Sequence, residues 1–310
     1  GNVATNAGGM MAVKHGVTRN YVLGLEAVLP TGEVIQAGGK YIKSSTGYNL
    51  TQLLIGSEGT LAIITEVILR LVTPPGLSIL LFVPFNSLSE AIGTVPAILQ
   101  SKVLPTGIEF MERDVVEIAE KHTGRKIPHE GEAFLMILIE ADDEQQAENM
   151  AWKVAEICGE HGAIDAFIAK TEQTMRPLLE LRERFYPALK AVGTSDILDV
   201  VVPRDRIADF MGKVKAIAEK YHIPISGYGH AGDGNVHLHP FGDGKDMTEV
   251  YQAIYEAGAA MGGTISGEHG LGFDKKKFLP IVMDTKQIEI MRGIKRVFDP
   301  NNILNPGKVI

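Results

Sequence analysis

Pro74-Pro75-Gly76 divides this chain more sharply than any other feature in it. A proline can neither donate into a sheet nor continue a helix, and the residue before it is pushed toward extended backbone. Ahead of the break the pattern is loop and strand. Residues 21–29 are largely apolar, and Pro30-Thr31-Gly32 turns them into a second extended run at 33–37. Residues 50–55 form a short apolar turn, and residues 60–72 are a long β-branched run that reads as a buried strand. Behind the break, strand and helix periodicities alternate. Strands are expected at 77–83, 107–111, 133–140, 163–169, 195–202, 225–228 and 235–239. Helices are expected at 87–101, 113–122, 143–161 (Asp142 as its N-cap), 172–190, 204–221 and 246–261. Residues 273–298 are mostly helical in pattern. A β-α-β-β-α-β rhythm of this kind predicts an α+β fold, an antiparallel ferredoxin-like sheet with helices on one face, in two half-units between residue 77 and about residue 262. The expected domains are 1–75 and 76–310.

Composition narrows the function class. The chain has 310 residues, 45% hydrophobic and 22% charged, which suits globular domains, two by the rough prior of 100–200 residues each. A formal charge of -8 argues against a general nucleic-acid binder. The basic run Lys275-Lys276-Lys277 reads as a solvated face. One cysteine, Cys158, excludes an internal disulfide framework and a cysteine-rich zinc site. With no long apolar span and no export leader, the expected setting is cytoplasmic. The chain opens without an initiator methionine, in the loop Gly1-Asn2-Val3-Ala4-Thr5-Asn6-Ala7-Gly8-Gly9, and so reads as starting in the middle of a larger architecture.

The sharpest chemical signal is Gly227-Tyr228-Gly229-His230-Ala231-Gly232-Asp233-Gly234-Asn235-Val236-His237-Leu238-His239. Asp-Gly between two strands is a strong hairpin turn. With Asp233-Gly234 as a two-residue turn, His230 falls opposite His237 and Tyr228 opposite His239. Period two puts Asn235, His237 and His239 on one face, and directly opposed imidazoles are close enough to share a metal. The bland alternative is a hairpin with solvent-facing histidines.

Ser266-Gly267-Glu268-His269-Gly270 is the second cluster. In an extended segment Glu268 and His269 point opposite ways, so a metal held by Glu268 leaves His269 to act as a base toward a neighbouring substrate. His230, His237 and Glu268 make a two-histidine, one-carboxylate set suited to zinc, manganese or iron; a plain polar loop is the alternative. Arg182 belongs either to an exposed charged helix face or to an anion site, since a guanidinium grips a carboxylate by two prongs. The loops Gly1–Gly9 and Gly56-Ser57-Glu58-Gly59-Thr60 can cradle a pyrophosphate or be ordinary turns; neither matches a dinucleotide or Walker fingerprint.

Taken together, Gly1–Gly9, Gly47-Tyr48-Asn49-Leu50 and Leu54-Ile55-Gly56-Ser57-Glu58-Gly59-Thr60-Leu61 resemble the later half of the FAD-binding domain in flavoproteins of the vanillyl-alcohol oxidase type. The hairpin, the Glu-His cluster and Phe298-Asp299-Pro300-Asn301-Asn302-Ile303-Leu304-Asn305-Pro306-Gly307-Lys308 resemble the C-terminal domain of the same family. The nearest group is D-lactate dehydrogenase, the glycolate oxidase catalytic subunit and D-2-hydroxyglutarate dehydrogenase. The resemblance implies FAD contacts from Asn2, Thr5, Asn6, Gly8, Gly9, Gly56, Ser57, Glu58 and Thr60, with Asn305 near the flavin ring. It implies a divalent metal on His230, His237 and Glu268, a base at His269, and substrate contact from Asn235. Arg182, followed by Tyr186-Pro187-Ala188, is matched to the arginine that binds the substrate carboxylate.

The fold thus implied is a partial FAD-binding domain followed by the substrate domain and a helical C-terminal segment. The family's first FAD subdomain would precede Gly1. The implied activity is FAD-dependent oxidation of a small D-2-hydroxy acid to the 2-keto acid. An electron-transfer partner subunit, a peripheral membrane association through it, and a homodimer are compatible with the resemblance. Two rival readings of the residues are a flavin-free metallohydrolase and a non-catalytic metal-binding α+β module.

Overall fold

Apart from the short edge strand Phe167–Ala169, the strands behind the Pro-Pro-Gly break are largely buried, so both faces of the sheet they form must be covered. The computed structural model describes residues 1–127, 130–194, 196–242 and 244–310. Ten strands are found among them: β1 Val22–Val28, β2 Val34–Gly38, β3 Ile63–Leu69, β4 Leu77–Phe85, β5 Gly107–Glu112, β6 Ala133–Ala141, β7 Phe167–Ala169, β8 Leu198–Val201, β9 Ile225–His230 and β10 Asn235–Pro240. Ser195, the expected first residue of the strand at 195–202, lies outside the described residues.

The chain packs as two units. One comprises Met10–His15 and Pro74–Thr264, and carries a seven-stranded sheet in the order β7-β4-β6-β5-β9-β10-β8 with antiparallel neighbours throughout. The two expected half-units are present. In the first, β4, a helix and β5 are split by β6. In the second, β8, a helix and β9 are split by β10. They join where β5 pairs with β9, Glu109 opposite His230 and Met111 opposite Tyr228.

Helices cover both faces rather than the expected one. Leu80, Phe82, Met111, Phe134, Met136 and Tyr228 pack on one side with Val115, Val116, Leu178, Leu181, Phe185 and Leu189 from helices Arg113–Thr123, Glu172–Glu183 and Phe185–Ala191. The alternate strand residues Ile79, Leu81, Val83 and Phe85 are equally buried. Their side is covered by helices Leu88–Gln100, Glu144–Glu160 and Ile207–Tyr221, the last touching the sheet where a Cβ on Gly227 would meet the Met211 side chain at 2.4 Å.

Local differences from the sequence reading have simple causes. Asp143, not Asp142, caps the helix Glu144–Glu160, accepting the Gln146 N–H at 2.8 Å. The expected single helix 172–190 breaks at Arg184. Pro187 cannot donate to the Glu183 carbonyl, and its ring crowds that turn. The break leaves Arg182 in the last turn of one helix and Phe185 at the first position of the next.

The second unit comprises Gly1–Gly9, Gly16–Thr73 and Ile265–Ile310. Its sheet has the order β2-β1-β3, antiparallel. Within this unit the C-terminal stretch packs with the N-terminal residues, with Ile294 and Phe298 of the helix Thr285–Phe298 against the cluster of Val22, Leu25, Leu54, Ile55 and Leu61. Among the described residues no helix is long and apolar enough to cross a membrane.

The C-terminal Asp-Pro-Asn-Asn segment is held by one ionic cluster within that unit. Asp299 is 1% exposed and pairs with Lys295; it also accepts the N–H groups of Ile303 (3.1 Å) and Leu304 (2.8 Å). Lys295 reaches on to the carbonyls of Thr60 (2.8 Å) and Leu304 (2.9 Å). Burial raises the Asp299 carboxyl, but Lys295 and the two backbone donors outweigh it and hold the group below its ordinary value. A depressed carboxyl stabilises the fold above its unfolded value, and that contribution fades as pH falls through the folded one. The Asp299→Asn variant should therefore unfold in less urea than the wild type at pH 7. The gap should narrow as pH drops below about 4, the ordinary aspartate range; a gap that widens with acid would refute the sign.

Candidate active site

The β9–β10 hairpin carries the expected histidines on one face, with a different register. His230 pairs with Asn235, His237 with Tyr228 and His239 with Ser226. The expected 230/237 and 228/239 pairs are displaced because the turn has four residues, 231–234. The His230 carbonyl accepts the N–H groups of Asp233 (3.2 Å) and Gly234 (3.0 Å). Gly234 makes this turn possible. Its φ is +93°, and a Cβ there would lie 2.1 Å from the Val202 carbonyl oxygen. A slip of two residues preserves the face, so His230 and His237 become diagonal neighbours. Their rings stand at 89° with centroids 5.0 Å apart and Nε2 atoms 3.3 Å apart.

Behind each histidine stands a buried carboxylate. Glu109 on β5 is 0% exposed, and its Oε1 lies 2.5 Å from His230 Nδ1. Its Oε2 accepts from Arg182 Nε at 2.7 Å and Nη2 at 2.6 Å. Burial pushes the Glu109 carboxyl up, yet His230 and Arg182 overcome it and hold the group below the usual carboxylate range. An ionised carboxylate only accepts, so the contact is made by a proton on His230 Nδ1, and the ring turns its Nε2 toward His237. Asp199 on β8 is opposite His237 in the ladder, with Oδ1 3.8 Å from His237 Nδ1.

Tyr228 organises the rest. Its ring lies 5.2 Å from His239 at 14° and 5.3 Å from His237. The Arg182 guanidinium sits 4.6 Å over the same ring, a cation–π contact. Asn235 is 5% exposed, and its buried Oδ1 has no hydrogen-bond partner among the described residues. An unsatisfied buried acceptor costs about 1–3 kcal/mol, so this oxygen suits a donor or cation brought by a ligand. The two facing imidazole nitrogens are two of the three or more ligands a divalent metal would need, and the Glu109 contact orients the first of them.

The other unit brings together the two glycine loops expected to contact FAD. Asn2–Thr5 form one helical turn ending at Asn6 in the left-handed region, φ 53°. The Val3 and Ala4 carbonyls accept the N–H groups of Gly56 (3.0 Å) and Glu58 (2.8 Å). Asn6 Oδ1 accepts the Arg19 N–H (2.9 Å), and Thr60 Oγ1 donates to the Ser57 carbonyl (2.7 Å). Asn2 and Gly8 are exposed; Thr5, Gly9, Gly56 and Ser57 are partly so. The Glu58 carboxylate accepts from the Leu271 N–H (2.8 Å) and Gly272 N–H (2.9 Å), and Asn305 Nδ2 donates to the Glu58 carbonyl at 2.5 Å. The side chains of Glu58 and Asn305 thus staple three loops of this unit together. Small residues and docked loops of this kind fit a dinucleotide's close approach.

Glu268 and His269 lie in the same unit. The segment is a bend closed by Ser266 Oγ donating to the Gly270 carbonyl (2.9 Å), not the extended stretch expected. The two side chains are therefore not opposed; Glu268 Oε1 and His269 Nε2 are 4.0 Å apart. Glu268 also lies beside Gly9, 3.9 Å from where a Cβ on that glycine would stand.

Glu109 and Asp199 were not among the expected site residues. Their signal is a lone carboxylate inside an apolar strand, Gly107-Ile108-Glu109-Phe110-Met111 and Leu198-Asp199-Val200-Val201, because acidic residues are almost never fully buried unless paired.

Known proteins share this architecture. The family model "FAD linked oxidases, C-terminal domain" matches residues 75–309, and "FAD binding domain" matches residues 1–38. A D-lactate dehydrogenase of Archaeoglobus fulgidus is 43% identical over 314 residues, covering 100% of this chain and 69% of that protein. Glycolate oxidase subunit GlcD of Bacillus subtilis is 39% identical over 316 residues, covering 100% and 67%. The mitochondrial D-2-hydroxyglutarate dehydrogenase of Bos taurus is 33% identical over 319 residues, covering 100% and 58%. Among solved structures, p-cresol methylhydroxylase with substrate bound matches with a TM-score of 0.74 at 16% identity, over 100% of this chain and 68% of that one, a likeness of fold. The chain belongs to the FAD-linked oxidases, in the group that contains D-lactate dehydrogenase, the glycolate oxidase subunit and D-2-hydroxyglutarate dehydrogenase.

Proposed function

We propose that the chain oxidises a small D-2-hydroxy acid to the 2-keto acid as part of an FAD-dependent enzyme. The observation that carries this reading is the run Arg182–Glu109–His230–His237, which sets a carboxylate-binding guanidinium beside paired imidazoles. The names of the relatives support the substrate class. FAD, held by the docked loops around Asn6, Gly56 and Ser57, supplies the hydride acceptor when bound. A divalent metal on His230 and His237 supplies Lewis acidity toward the substrate hydroxyl.

The chain's own residues do the rest. Arg182 gives Nε and one Nη2 proton to Glu109, which leaves Nη1 and the second Nη2 proton as a fork for the substrate carboxylate. Tyr228 under the guanidinium keeps that fork from rotating. Asn235 offers its buried side-chain amide to the substrate. His269, named for this role by the Glu-His motif, takes the hydroxyl proton.

The test is a panel of glycolate, D-lactate, L-lactate and longer D-2-hydroxy acids, assayed on flavin-loaded protein with an artificial electron acceptor, before and after chelation. Expected are turnover of D-2-hydroxy acids over the L form, loss of rate on metal removal and recovery with zinc or manganese. Ester or amide hydrolysis without flavin would favour the metallohydrolase, and the absence of any 2-hydroxy acid turnover would overturn the proposal.

A further inference from the structure

We propose that Glu109 is a positioning residue that ties metal binding at His230 to substrate-carboxylate binding at Arg182 through one buried carboxylate. This rests on the roles of His230 and Arg182 given above.

Three observations carry it. Glu109 lies on the seam between the two half-units, directly across the ladder from His230. It is fully buried, and its two oxygens are divided between two functional side chains: Oε1 takes His230 Nδ1, and Oε2 takes Arg182 Nε and Nη2. Burying such an ionic set rarely adds stability over an apolar replacement, so its use here is geometric. By accepting from Nδ1, Glu109 fixes the His230 tautomer that presents a lone pair from Nε2, and raises the basicity of that ligand. By occupying the Nε–Nη2 edge of Arg182, it turns the other edge of the guanidinium outward. Phe185, 5.6 Å from the guanidinium carbon, and Tyr228 at 4.6 Å close the remaining directions. A change at one oxygen of Glu109 is therefore felt at both partners.

Glu109→Gln separates the two demands. An amide accepts at one atom only, and its NH2 group meets a donor where the second oxygen stood. In flavin-loaded full-length protein, two quantities are to be read. Calorimetry with Mn2+ on chelator-stripped protein should show metal affinity falling roughly 10–100-fold, the usual effect of losing a partner that orients a metal-binding histidine. The KM for D-lactate should rise about tenfold or more in metal-saturated protein, since a charge-assisted bond loses its geometry.

The coupling is then tested by background. The KM effect of Glu109→Gln should vanish in Arg182→Met, while its metal effect persists there. Its metal effect should vanish in His230→Ala. Glu109→Asp, which keeps both acceptors one methylene back, should recover part of both quantities and serves if the amide variant does not fold. Unchanged metal affinity and KM in a folded Glu109→Gln or Glu109→Asp, or a KM effect that adds fully to that of Arg182→Met, would overturn the proposal while leaving the site assignment standing. A wild type that neither binds Mn2+ nor oxidises any 2-hydroxy acid would remove the site assignment and this proposal with it.

Discussion

Replacing Arg182 by Met should cost about 3–5 kcal/mol of folding stability, the usual penalty for leaving one charge of a buried pair behind. Glu109 is 0% exposed and Arg182 16% by side chain, so water cannot take over the lost partner. The same substitution should raise the KM for a D-2-hydroxy acid about ten- to a hundredfold, since a hydrogen bond to a charged group contributes about 1.5–3 kcal/mol. Urea unfolding and steady-state kinetics measure the two effects separately, and a second variant tells them apart. Removing both partners, Glu109→Leu with Arg182→Met, leaves no stranded charge and should recover much of the lost stability. Turnover should stay lost, because the fork for the carboxylate is gone. Arg182→Lys should keep the charge and fall short on KM, since an ammonium cannot serve Glu109 and a substrate carboxylate with one planar group. An Arg182→Met protein as stable as the wild type, with an unchanged KM, would contradict the geometry around Glu109.

How far the sequence reaches into this site follows from which signals are local. The histidine face of the hairpin is legible because period two survives a slip of two residues; the turn length is not, because it depends on Gly234 fitting under the Val202 carbonyl. The strands of the larger sheet are legible as apolar runs between turn residues. An unbroken apolar run such as Leu80-Leu81-Phe82-Val83, all four buried, is itself the sequence sign of cover on both faces. The return of the C-terminal helix to the N-terminal strands rests on Ile294 and Phe298, contacts far apart in the chain that no periodicity encodes. Arg182 looks like any residue of a charged helix until its partner is known, and Glu109 lies 73 positions away. Family resemblance therefore pointed to the arginine, while only the fold gives it a geometry.

His269→Ala should lower kcat about 10²–10⁴-fold, the usual contribution of a positioned general base. The bound-flavin absorbance and the KM should stay near their wild-type values. The loop that carries His269 is closed by the Ser266–Gly270 hydrogen bond, and the ring is 39% exposed, so truncation should move stability by about 0.5 kcal/mol. That exposure also supplies a control. A base reachable from solvent can be replaced by a small one, and added imidazole should restore part of the rate in His269→Ala while leaving the wild type unaffected. A purely structural role would show the opposite pattern, a lower unfolding midpoint and no rescue. Wild-type turnover in the flavin-loaded variant would mean that the hydroxyl proton leaves by another group. Asp199, the buried carboxylate 3.8 Å from His237, would then be the acceptor to substitute next.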